Sequence, residues 1–224
     1  MGNSFFISGT DTDIGKTYIS SLIYKTLIQN QNEKTIYYKP IQSGCFERNN
    51  ILIAPDVETV SNISKTKYDK NMCTYFLKPE VSPHLAGEIQ NISIDVEKII
   101  SEIEKRKIQS DNLIIEGAGG IYVPLIRNKF YNFDLIKSTH LPVILVAGTK
   151  VGAINHAMLT IKFLQSMDIK ILGIIFNRYT GKIYEDDNIK VILNDSKIKN
   201  YLVINENQNK IDYDVLKNFL LGED

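Results

Sequence analysis

The sequence predicts an α/β fold in which helices cover both faces of a doubly wound, mostly parallel sheet. Short apolar runs alternate with stretches whose apolar residues recur at helical spacing, and this alternation is typical of strand–helix–strand units. The runs are apolar at nearly every position, as expected for strands buried between two layers of helices. Residues 1–224 contain no internal repeat, long linker or clear boundary, which favours a single domain.

The first half of the chain begins with a predicted strand over 4–8, SFFIS, which leads into a glycine-containing loop. A helix beginning near Lys16 is predicted from apolar residues at helical spacing: Ile19, Leu22, Ile23 and Leu27. A second strand is predicted over 34–40, KTIYYKP, and Pro40 is expected to end it. Residues 41–91 are expected to be the least regular part, broken into short pieces by Pro55, Pro79 and Pro83.

The second half of the chain continues this alternation. The next helix is predicted from the spacing of Val96, Ile99, Ile100 and Ile103. Strands are predicted over 112–117 (NLIIEG), 141–148 (LPVILVAG) and 169–177 (IKILGIIFN). The helix between the last two strands is marked by Ile154, Ala157, Met158, Ile161 and Leu164. Residues 178–210 are polar and give no clear prediction, whereas a final helix is expected over 212–220.

Composition argues against several classes of protein. The 26 basic and 26 acidic side chains balance, so charge gives no reason to expect nucleic acid or a membrane surface as a partner. Cys45 and Cys73 do not form the C-x-x-C pairs of zinc ribbons, and two reduced thiols are typical of a cytoplasmic protein. The N-terminus does not resemble a secretion signal, and no apolar run reaches the roughly 18 residues that span a membrane.

The strongest motif is residues 8–17, SGTDTDIGKT, which end like a phosphate-binding loop (P-loop) in Gly-Lys-Thr. The usual spacing puts the first glycine at Thr10, but here it is Gly9, one residue earlier. Backbone N–H groups at the start of the following helix form an anion site. Lys16 is expected to reach the β and γ phosphates of a nucleotide, and Thr17 to bind Mg²⁺. The alternative is a simple turn with an N-capping threonine and an exposed lysine.

Two carboxylates distinguish this loop from an ordinary P-loop. Asp11 and Asp13 would repel phosphate, so each is expected to point away, to cap a turn or to meet a cation. Asp11 also stands five residues before Lys16, where ATPases of the ParA and MinD type need a second lysine. This difference argues against a partitioning or site-selection ATPase.

Charged residues also stand at the ends of two other predicted strands. Ligands of an open parallel sheet bind beyond the carboxyl ends of its strands, so Lys39 is expected to face the same crevice as Lys16. Two fixed cations suit a transferring γ-phosphoryl group, although a strand-end lysine alone is more often simply solvated. Glu116 ends a strand that resembles a Walker B segment, where a Mg²⁺ ligand belongs, and the glycines that follow it allow close approach to the backbone.

Other positions have two interpretations each. Asp56 fits a helix N-cap, which the residues alone favour, as well as a metal ligand. Residues 148–159 lead into a helix N-terminus, which is a second possible seat for a carboxylate or phosphate. Asn177 ends a strand, where it could read an adenine edge or make a turn. The histidines lack partners for a triad or a metal site and are interpreted as structural: His84, His140 and His156.

These segments together resemble the dethiobiotin synthetases, a family of ATP-dependent enzymes of biotin synthesis. They follow the family order and cover most of residues 4–178. The G-T-D-T-x-x-G-K-T loop and the G-x-I-N-H-A-x-L-T helix motif are highly specific as a set, and the shifted glycine is this family's own loop. The matching segments are GTDTDIGKT, YKPIQSG, Asp56, SPHLAG (82–87), IEGAGG (115–120), LPVILVAGTKVGAINHAMLT (141–160) and Asn177.

The resemblance implies a role for each matching residue. Mg²⁺ would be bound by Thr17, Asp56 and Glu116. Lys39 would be the catalytic lysine, assisted by Lys16 and Thr12, and Ser43 and Thr12 would contact the substrate. The substrate carboxylate would lie at a helix start in the neighbouring subunit of a homodimer, at Gly152, Ala153, Ile154 and Asn155. ATP would be held by Asp13, Ile14, Gly15, Lys16, Thr17, Tyr18, Asp56, Glu116, Gly117, Ala118, Gly119 and, at the adenine, Asn177.

The implied reaction joins CO₂ to the vicinal diamine 7,8-diaminononanoate and closes the cyclic urea of dethiobiotin, with release of ADP and phosphate. It passes through a carbamate and a carbamic-phosphoric anhydride. One rival function is an amide synthase of the cobyrinate type, but that class carries a glutamine-hydrolysing domain for which 224 residues leave no room. The other is a nucleotide-switch protein, in which ATP drives assembly rather than chemistry.

Two positions depart from the family pattern. Asp13 stands where many members carry the longer glutamate. Residues 201–210, YLVINENQNK, lack the Gly-x-[Ile/Leu]-Pro turn that packs on the nucleotide base in the family. The sequence therefore predicts weaker discrimination among nucleoside triphosphates.

Overall fold

The computed structural model describes residues 3–222, which contain a seven-stranded sheet and two antiparallel hairpins. The strands are β1 (Asn3–Gly9), β2 (Thr35–Gln42), β3 (Phe46–Arg48), β4 (Ile51–Ile53), β5 (Cys73–Phe76), β6 (Asn112–Gly120), β7 (Pro124–Ile126), β8 (Phe130–Tyr131), β9 (Val143–Ala147), β10 (Ile171–Tyr179) and β11 (Tyr201–Asn205). The large sheet has the order β11-β10-β9-β1-β6-β2-β5, and every neighbouring pair in it is parallel. The predicted doubly wound α/β class is thus confirmed.

Residues 3–222 contain eight α-helices, of which seven stand between strands along the chain and the last follows β11. They are α1 (Lys16–Leu27), α2 (Pro55–Ser64), α3 (Pro83–Gln90), α4 (Val96–Gln109), α5 (Asn132–Thr139), α6 (Ala153–Ser166), α7 (Ile183–Ser196) and α8 (Tyr213–Leu221). None of these helices has the length and apolar character needed to cross a membrane. Because β1 lies near the middle of the sheet, between β6 and β9, the loop that follows it opens at the centre of the carboxyl edge.

The core lies on both faces of the sheet. Successive residues of a strand point to opposite faces, so Phe5 packs in the layer with α1, α2 and α8, whereas Phe6 packs in the layer with α4 and α5. The same division separates Tyr37 from Tyr38 in β2, and all four rings are at most 1% exposed. Two buried faces explain why these strands have apolar residues at consecutive positions.

The expectation that Pro40 ends the second strand was wrong. Strand β2 continues through Pro40 to Gln42, because its pairing with β6 ends at Tyr38 and its pairing with β5 runs from Lys39 to Gln42. Pro40 therefore lies beyond the β6 ladder, where its missing N–H removes no hydrogen bond to that strand. Residues 41–91 do consist of short elements, as expected, and Pro55 and Pro83 mark boundaries as the first residues of α2 and α3, since a proline fits the first turn of a helix.

Several elements had no sequence prediction. The polar stretch 178–210 contains α7 and β11, and the region around 121–140 contains β7, β8 and α5. Strand β11 is an edge strand with one buried position, Ile204, so it is less apolar than the central strands. Helix α7 buries few residues for its 14-residue length, which weakens its apolar periodicity.

The segment before α8 is hydrogen-bonded to α1. The Thr26 hydroxyl donates to the Ile211 carbonyl at 3.0 Å, and Lys25 Nζ donates to the Asn209 carbonyl at 3.1 Å. The Tyr18 hydroxyl donates to the carbonyl of Gln208. Helix α1, which begins at the predicted P-loop, is therefore held along its length by residues near the other end of the sequence.

Candidate active site

A cavity of about 740 Å³ opens at the carboxyl ends of β1, β2 and β6. Its lining brings together the predicted P-loop, the end of β2, the start of α2 and the end of β6. The predicted residues among its lining are Thr12, Asp13, Gly15, Lys16, Thr17, Lys39, Ser43, Asp56, Glu116, Ala118 and Gly119. The convergence expected from parallel strand ends is therefore present in the structure.

The P-loop is shaped by one cap and one glycine. The Asp11 carboxylate accepts a hydrogen bond from the backbone N–H of Thr12 at 2.7 Å and so caps the single 3₁₀ turn Thr12–Ile14. Gly15 then has φ +98°, a left-handed conformation that favours glycine, and α1 begins at Lys16. Of the three roles expected for the loop carboxylates, Asp11 has the capping role, whereas Asp13 lines the cavity.

Lys16 lies back along this loop with only 4% of its surface exposed. Its Nζ donates to the Asp11 carbonyl at 2.9 Å and to the Thr12 carbonyl at 2.7 Å. Burial and the nearby Lys39 ammonium lower the pKa of Lys16 to about 8. The amine is thus still largely protonated at neutral pH, and it adds a positive charge to the helix N-terminus at which the loop ends.

Lys39 is at the centre of an ionic cluster with Asp56 and Glu116. Its Nζ lies 2.6 Å from Asp56 Oδ2 and 3.0 Å from Glu116 Oε1, and it also donates to the Gly117 carbonyl at 3.0 Å. Burial alone would lower the pKa of Lys39, but the two carboxylates more than offset burial and raise it. The lysine is therefore a permanently charged group rather than a proton acceptor.

The three predicted metal ligands lie around this ammonium. Thr17 Oγ1 donates to Glu116 Oε1 at 2.7 Å. Asp56 is not an N-cap, because Ala54 has that position and Asp56 lies in the first turn of α2. Its carboxylate contacts Lys39 instead. Burial would raise the pKa of Asp56, but the Lys39 ammonium lowers it below its usual value. One hydroxyl and two carboxylates from α1, α2 and β6 are hard oxygen donors, so the set fits Mg²⁺.

Two buried polar atoms at the end of β2 have no protein partner within residues 3–222. These are Ser43 Oγ and Gln42 Oε1, and both residues line the cavity. Buried polar atoms are normally hydrogen-bonded, so both atoms are available to a ligand. The sequence predicted Ser43 but not Gln42, and it also missed Glu80 and Arg178, two charged residues of the same lining. Gln42 and Arg178 closely follow predicted strands, which was their only signal, and Glu80, in the segment expected to be least regular, had none.

The predicted binding site for the substrate carboxylate lies outside this cavity within one chain. Gly152 is the N-cap of α6, with φ +94°, and Ala153 is its first residue. Both line a second cavity of about 140 Å³ that shares Arg178 with the first, and Ile154 and Asn155 follow in the first turn of the helix. The chain therefore does not bring this helix start together with its own Ser43.

Asn177 contacts the P-loop from the end of β10. It is 2% exposed, and its Nδ2 donates to the Ile14 carbonyl at 2.9 Å. A Cβ at Gly15 would lie 2.2 Å from the same nitrogen, so the close approach of this amide requires glycine at that position. Asn177 braces the loop, and at least one of its amide hydrogens is directed to the protein.

The buried carboxylate of Glu185, which the sequence analysis did not predict, is hydrogen-bonded to residues that follow β9 and β10. Glu185, in the first turn of α7, is 0% exposed and accepts the Thr149 hydroxyl. It also accepts the hydroxyl and N–H of Thr180 at 2.7 and 3.0 Å and the N–H of Lys182 at 3.0 Å. Burial opposes its charge, yet these donors lower the pKa of Glu185 from 4.5 to about 2.

We expect Glu185→Gln to lower the free energy of unfolding by about 1–3 kcal/mol at pH 7, since an amide cannot accept all four donors. A depressed folded-state pKa stabilises the protein above the unfolded-state value, and this contribution is lost as pH falls from about 4.5 toward 2. Urea unfolding at several pH values should show that the difference in unfolding free energy between the variant and the native chain becomes smaller as the pH falls from about 4.5 toward 2. Asp187→Asn, at an exposed position on the same helix, should change little at any pH.

Similar proteins show which family the chain belongs to. A family model described as an AAA domain matches residues 3–211. An ATP-dependent dethiobiotin synthetase BioD of Fusobacterium nucleatum is 55% identical over 207 residues, covering 92% of this chain and 93% of the relative. A protein of the same name from Clostridium perfringens is 37% identical over 228 residues, covering 99% of this chain and all of the relative.

Solved structures support the fold at much lower identity. A ParA family ATPase from Chlorobium tepidum has a TM-score of 0.56 at 16% identity, covering 99% of this chain and 88% of its own. A putative plasmid partition protein from Borrelia burgdorferi has a TM-score of 0.57 at 15% identity, with both chains covered completely. These proteins share the P-loop NTPase fold, and the family itself is given by the sequence relatives. The chain belongs to the ATP-dependent dethiobiotin synthetase family.

Proposed function

We propose that this chain uses ATP to join CO₂ to 7,8-diaminononanoate and close the ring of dethiobiotin, releasing ADP and phosphate. The observation that carries the proposal is the ionic cluster at the cavity, where Lys39 contacts both Asp56 and Glu116 beside Lys16. The relatives named dethiobiotin synthetases support the choice of substrate. We further propose a single-domain cytoplasmic enzyme that acts as a homodimer.

The nucleotide phosphates are assigned to the P-loop. Lys16 and the backbone N–H groups of residues 13–18 would hold the phosphate chain, and Asn177 would lie near the adenine. Ala118 and Gly119 line the same cavity. Thr17, Asp56 and Glu116 would hold Mg²⁺, which neutralises triphosphate charge when bound. Lys39 adds a fixed positive charge where negative charge develops on the transferring phosphoryl group.

The proposed reaction needs no protein nucleophile. The lone pair of one neutral amine forms a bond to the carbon of CO₂, and loss of a proton leaves a carbamate. A carbamate oxygen then attacks the γ-phosphorus, and the bond to the ADP oxygen breaks with its electron pair. The second amine attacks the carbonyl carbon, phosphate leaves, and loss of a proton completes the cyclic urea.

The protein contributes position and charge to these steps. Thr12 lies on the P-loop, Ser43 at the end of β2, and both line the cavity, so the carbamate and the γ-phosphate could be held together between them. Such proximity is worth up to about 7–11 kcal/mol of barrier when the reacting atoms are well aligned. Of the two unpartnered atoms, Gln42 Oε1 is suited to accept a hydrogen bond from a substrate N–H, and the Ser43 hydroxyl can also donate to a substrate oxygen.

The substrate carboxylate is assigned to the start of α6 in the partner subunit, at residues 152–155. Helix N-termini bind anions through free N–H groups. In one chain this helix start lines a different cavity from Ser43, and this separation is compatible with a role in a neighbouring site. The assignment makes each active site dependent on two chains.

The proposal is tested with ATP, MgCl₂, bicarbonate and 7,8-diaminononanoate, with dethiobiotin and ADP quantified by mass spectrometry. One ADP should form for each dethiobiotin, and ATP hydrolysis should stay negligible until diamine and bicarbonate are both present. Steady hydrolysis without them, and no cyclic urea with them, would favour the nucleotide-switch alternative instead.

Nucleotide choice gives a separate prediction. The segment after β11 is a turn in which the Glu206 N–H donates to the Tyr179 carbonyl and the Gln208 N–H to the Asn205 carbonyl, each at 3.0 Å. Because residues 201–210 lack the family's Gly-x-[Ile/Leu]-Pro turn, we expect turnover with GTP and CTP within about tenfold of that with ATP, a difference of about 1.4 kcal/mol. A much stronger preference for ATP in kcat/KM would contradict this expectation.

A further inference from the structure

A buried phenol stands behind the carboxylate of Glu116. Tyr37 Oη donates to Glu116 Oε2 at 3.0 Å, while Thr17 Oγ1 and Lys39 Nζ both donate to Glu116 Oε1, at 2.7 and 3.0 Å. The two oxygens of this carboxylate thus have different partners. Oε1 belongs to the ionic cluster, and Oε2 is directed into the protein.

We propose that Tyr37 is a positioning residue that fixes the rotation of Glu116, so that Oε1 faces the cation site of the cavity. The inference rests on the proposed function, which assigns Glu116 to Mg²⁺. Tyr37 itself is not part of the cavity lining, and its ring is 0% exposed. It acts only through the carboxylate.

The sheet brings the two residues together. Tyr37 is paired with Ile114 in the parallel ladder of β2 and β6, and side chains two residues apart on a strand share a face. Tyr37, Lys39 and Glu116 therefore all project to the side of the sheet that α1 covers. The Tyr37 ring is held there by Tyr24 of α1, with ring centroids 6.4 Å apart. Its hydroxyl is consequently well fixed.

A fixed donor matters because a glutamate carboxylate has little orientation of its own. The terminal torsion of glutamate is broad and roughly two-fold, so its neighbours choose the direction of each oxygen. Without the phenol, Oε2 would be a buried acceptor with no partner, and the carboxylate would be drawn to redistribute its oxygens among Thr17 and Lys39. Groups that orient a metal ligand in this way typically change metal affinity by 10–100-fold.

The neighbouring tyrosine provides a matched control. Tyr38 is equally buried, at 0% exposure, but it lies in the core on the other face of the sheet. Its hydroxyl is hydrogen-bonded to Thr74 Oγ1 at 2.6 Å, on the edge-strand side. Tyr37→Phe and Tyr38→Phe each remove one phenolic hydrogen bond from the same strand and keep the ring. Only the first removes it from Glu116.

The test measures Mn²⁺ binding to the full-length protein in the presence of saturating ADP, using the electron paramagnetic resonance signal of free Mn²⁺. Tyr37→Phe should raise the apparent Kd for Mn²⁺ about 10–100-fold, whereas Tyr38→Phe should change it less than about twofold. Tyr37→Phe should also lose more thermal stability than Tyr38→Phe, because its hydrogen bond goes to a buried carboxylate whereas the Tyr38 bond joins two neutral hydroxyls. Equal Mn²⁺ affinity of the two variants would overturn the inference.

A double variant shows whether the effect passes through Glu116. In a Glu116→Gln background, adding Tyr37→Phe should cause less than about a twofold further change in the Mn²⁺ Kd, since residues acting as a unit are non-additive. A full additive effect would also overturn the proposed positioning role. If the native chain binds Mn²⁺ and yet forms no dethiobiotin, this result would reject the proposed function. The Mn²⁺ affinities of Tyr37→Phe and Tyr38→Phe would still decide whether Tyr37 positions Glu116.

Discussion

Lys39→Met should abolish dethiobiotin formation, lowering kcat by at least about 10³-fold. The substitution removes the one group that contacts Asp56, Glu116 and the Gly117 carbonyl together. It also leaves the buried carboxylate of Glu116 and the partly exposed one of Asp56 without their cation, and removal of one partner of a buried pair typically costs about 3–5 kcal/mol. Turnover and thermal unfolding should therefore both be measured, with kinetics taken well below the unfolding transition.

The stability loss in Lys39→Met should itself be sensitive to divalent cations. Asp56 and Glu116 then form a site with no internal ammonium, so MgCl₂ should raise the unfolding midpoint of the variant more than that of the native chain. Lys34→Met gives the control: it removes an exposed lysine at the opposite end of the same strand region. Normal turnover in Lys39→Met, or equal loss in Lys34→Met, would reject the role assigned to Lys39.

Lys16→Ala should weaken ATP binding by at least about 100-fold while leaving diamine binding almost unchanged. The loss of a charge-assisted contact to phosphate is one part of this effect. The other part is structural, because Lys16 Nζ closes the P-loop through the carbonyls of Asp11 and Thr12. Calorimetric titration with ATP and with the diamine separates the two ligands.

Lys25→Ala is the matched control for Lys16→Ala. Lys25 belongs to the last turn of the same helix, and its Nζ contacts the Asn209 carbonyl rather than the cavity. ATP affinity should stay within about twofold of the native value. If Lys16→Ala also binds ATP normally, the phosphates are not held at this loop and the proposed site is in the wrong place.

Topology explains why part of the site could be predicted from the sequence. Lys39 and Glu116 are far apart in the chain, yet both end apolar runs, and the ends of parallel strands meet at one edge. The structure places their charged atoms 3.0 Å apart. Asp56 was harder, since an aspartate near a helix start is usually a cap, and only the fold shows its carboxylate turning to Lys39.

The remaining residues could not be predicted because their sequence patterns are the same as those of ordinary structural residues. Tyr37 stands in an apolar strand and looks like a core residue, because sequence does not show where a buried hydroxyl points. Glu185 lies among many polar residues in 178–210, and its burial comes from the loops of β9 and β10 that fold over it. Pro55 and Pro83 predicted boundaries but not the helices that begin at them, because a proline at a helix start and one in a loop have the same local signature.

The hydrogen bonds between α1 and residues 208–211 affect when the chain can complete its fold during synthesis. The P-loop helix emerges early from the ribosome, but three of its side chains have their partners some 180 to 190 positions later. Such distant partners delay completion of native structure. A nascent chain stalled before residue 208 should therefore retain no nucleotide, and the ability to bind it should arise only after nearly the whole polypeptide has been translated.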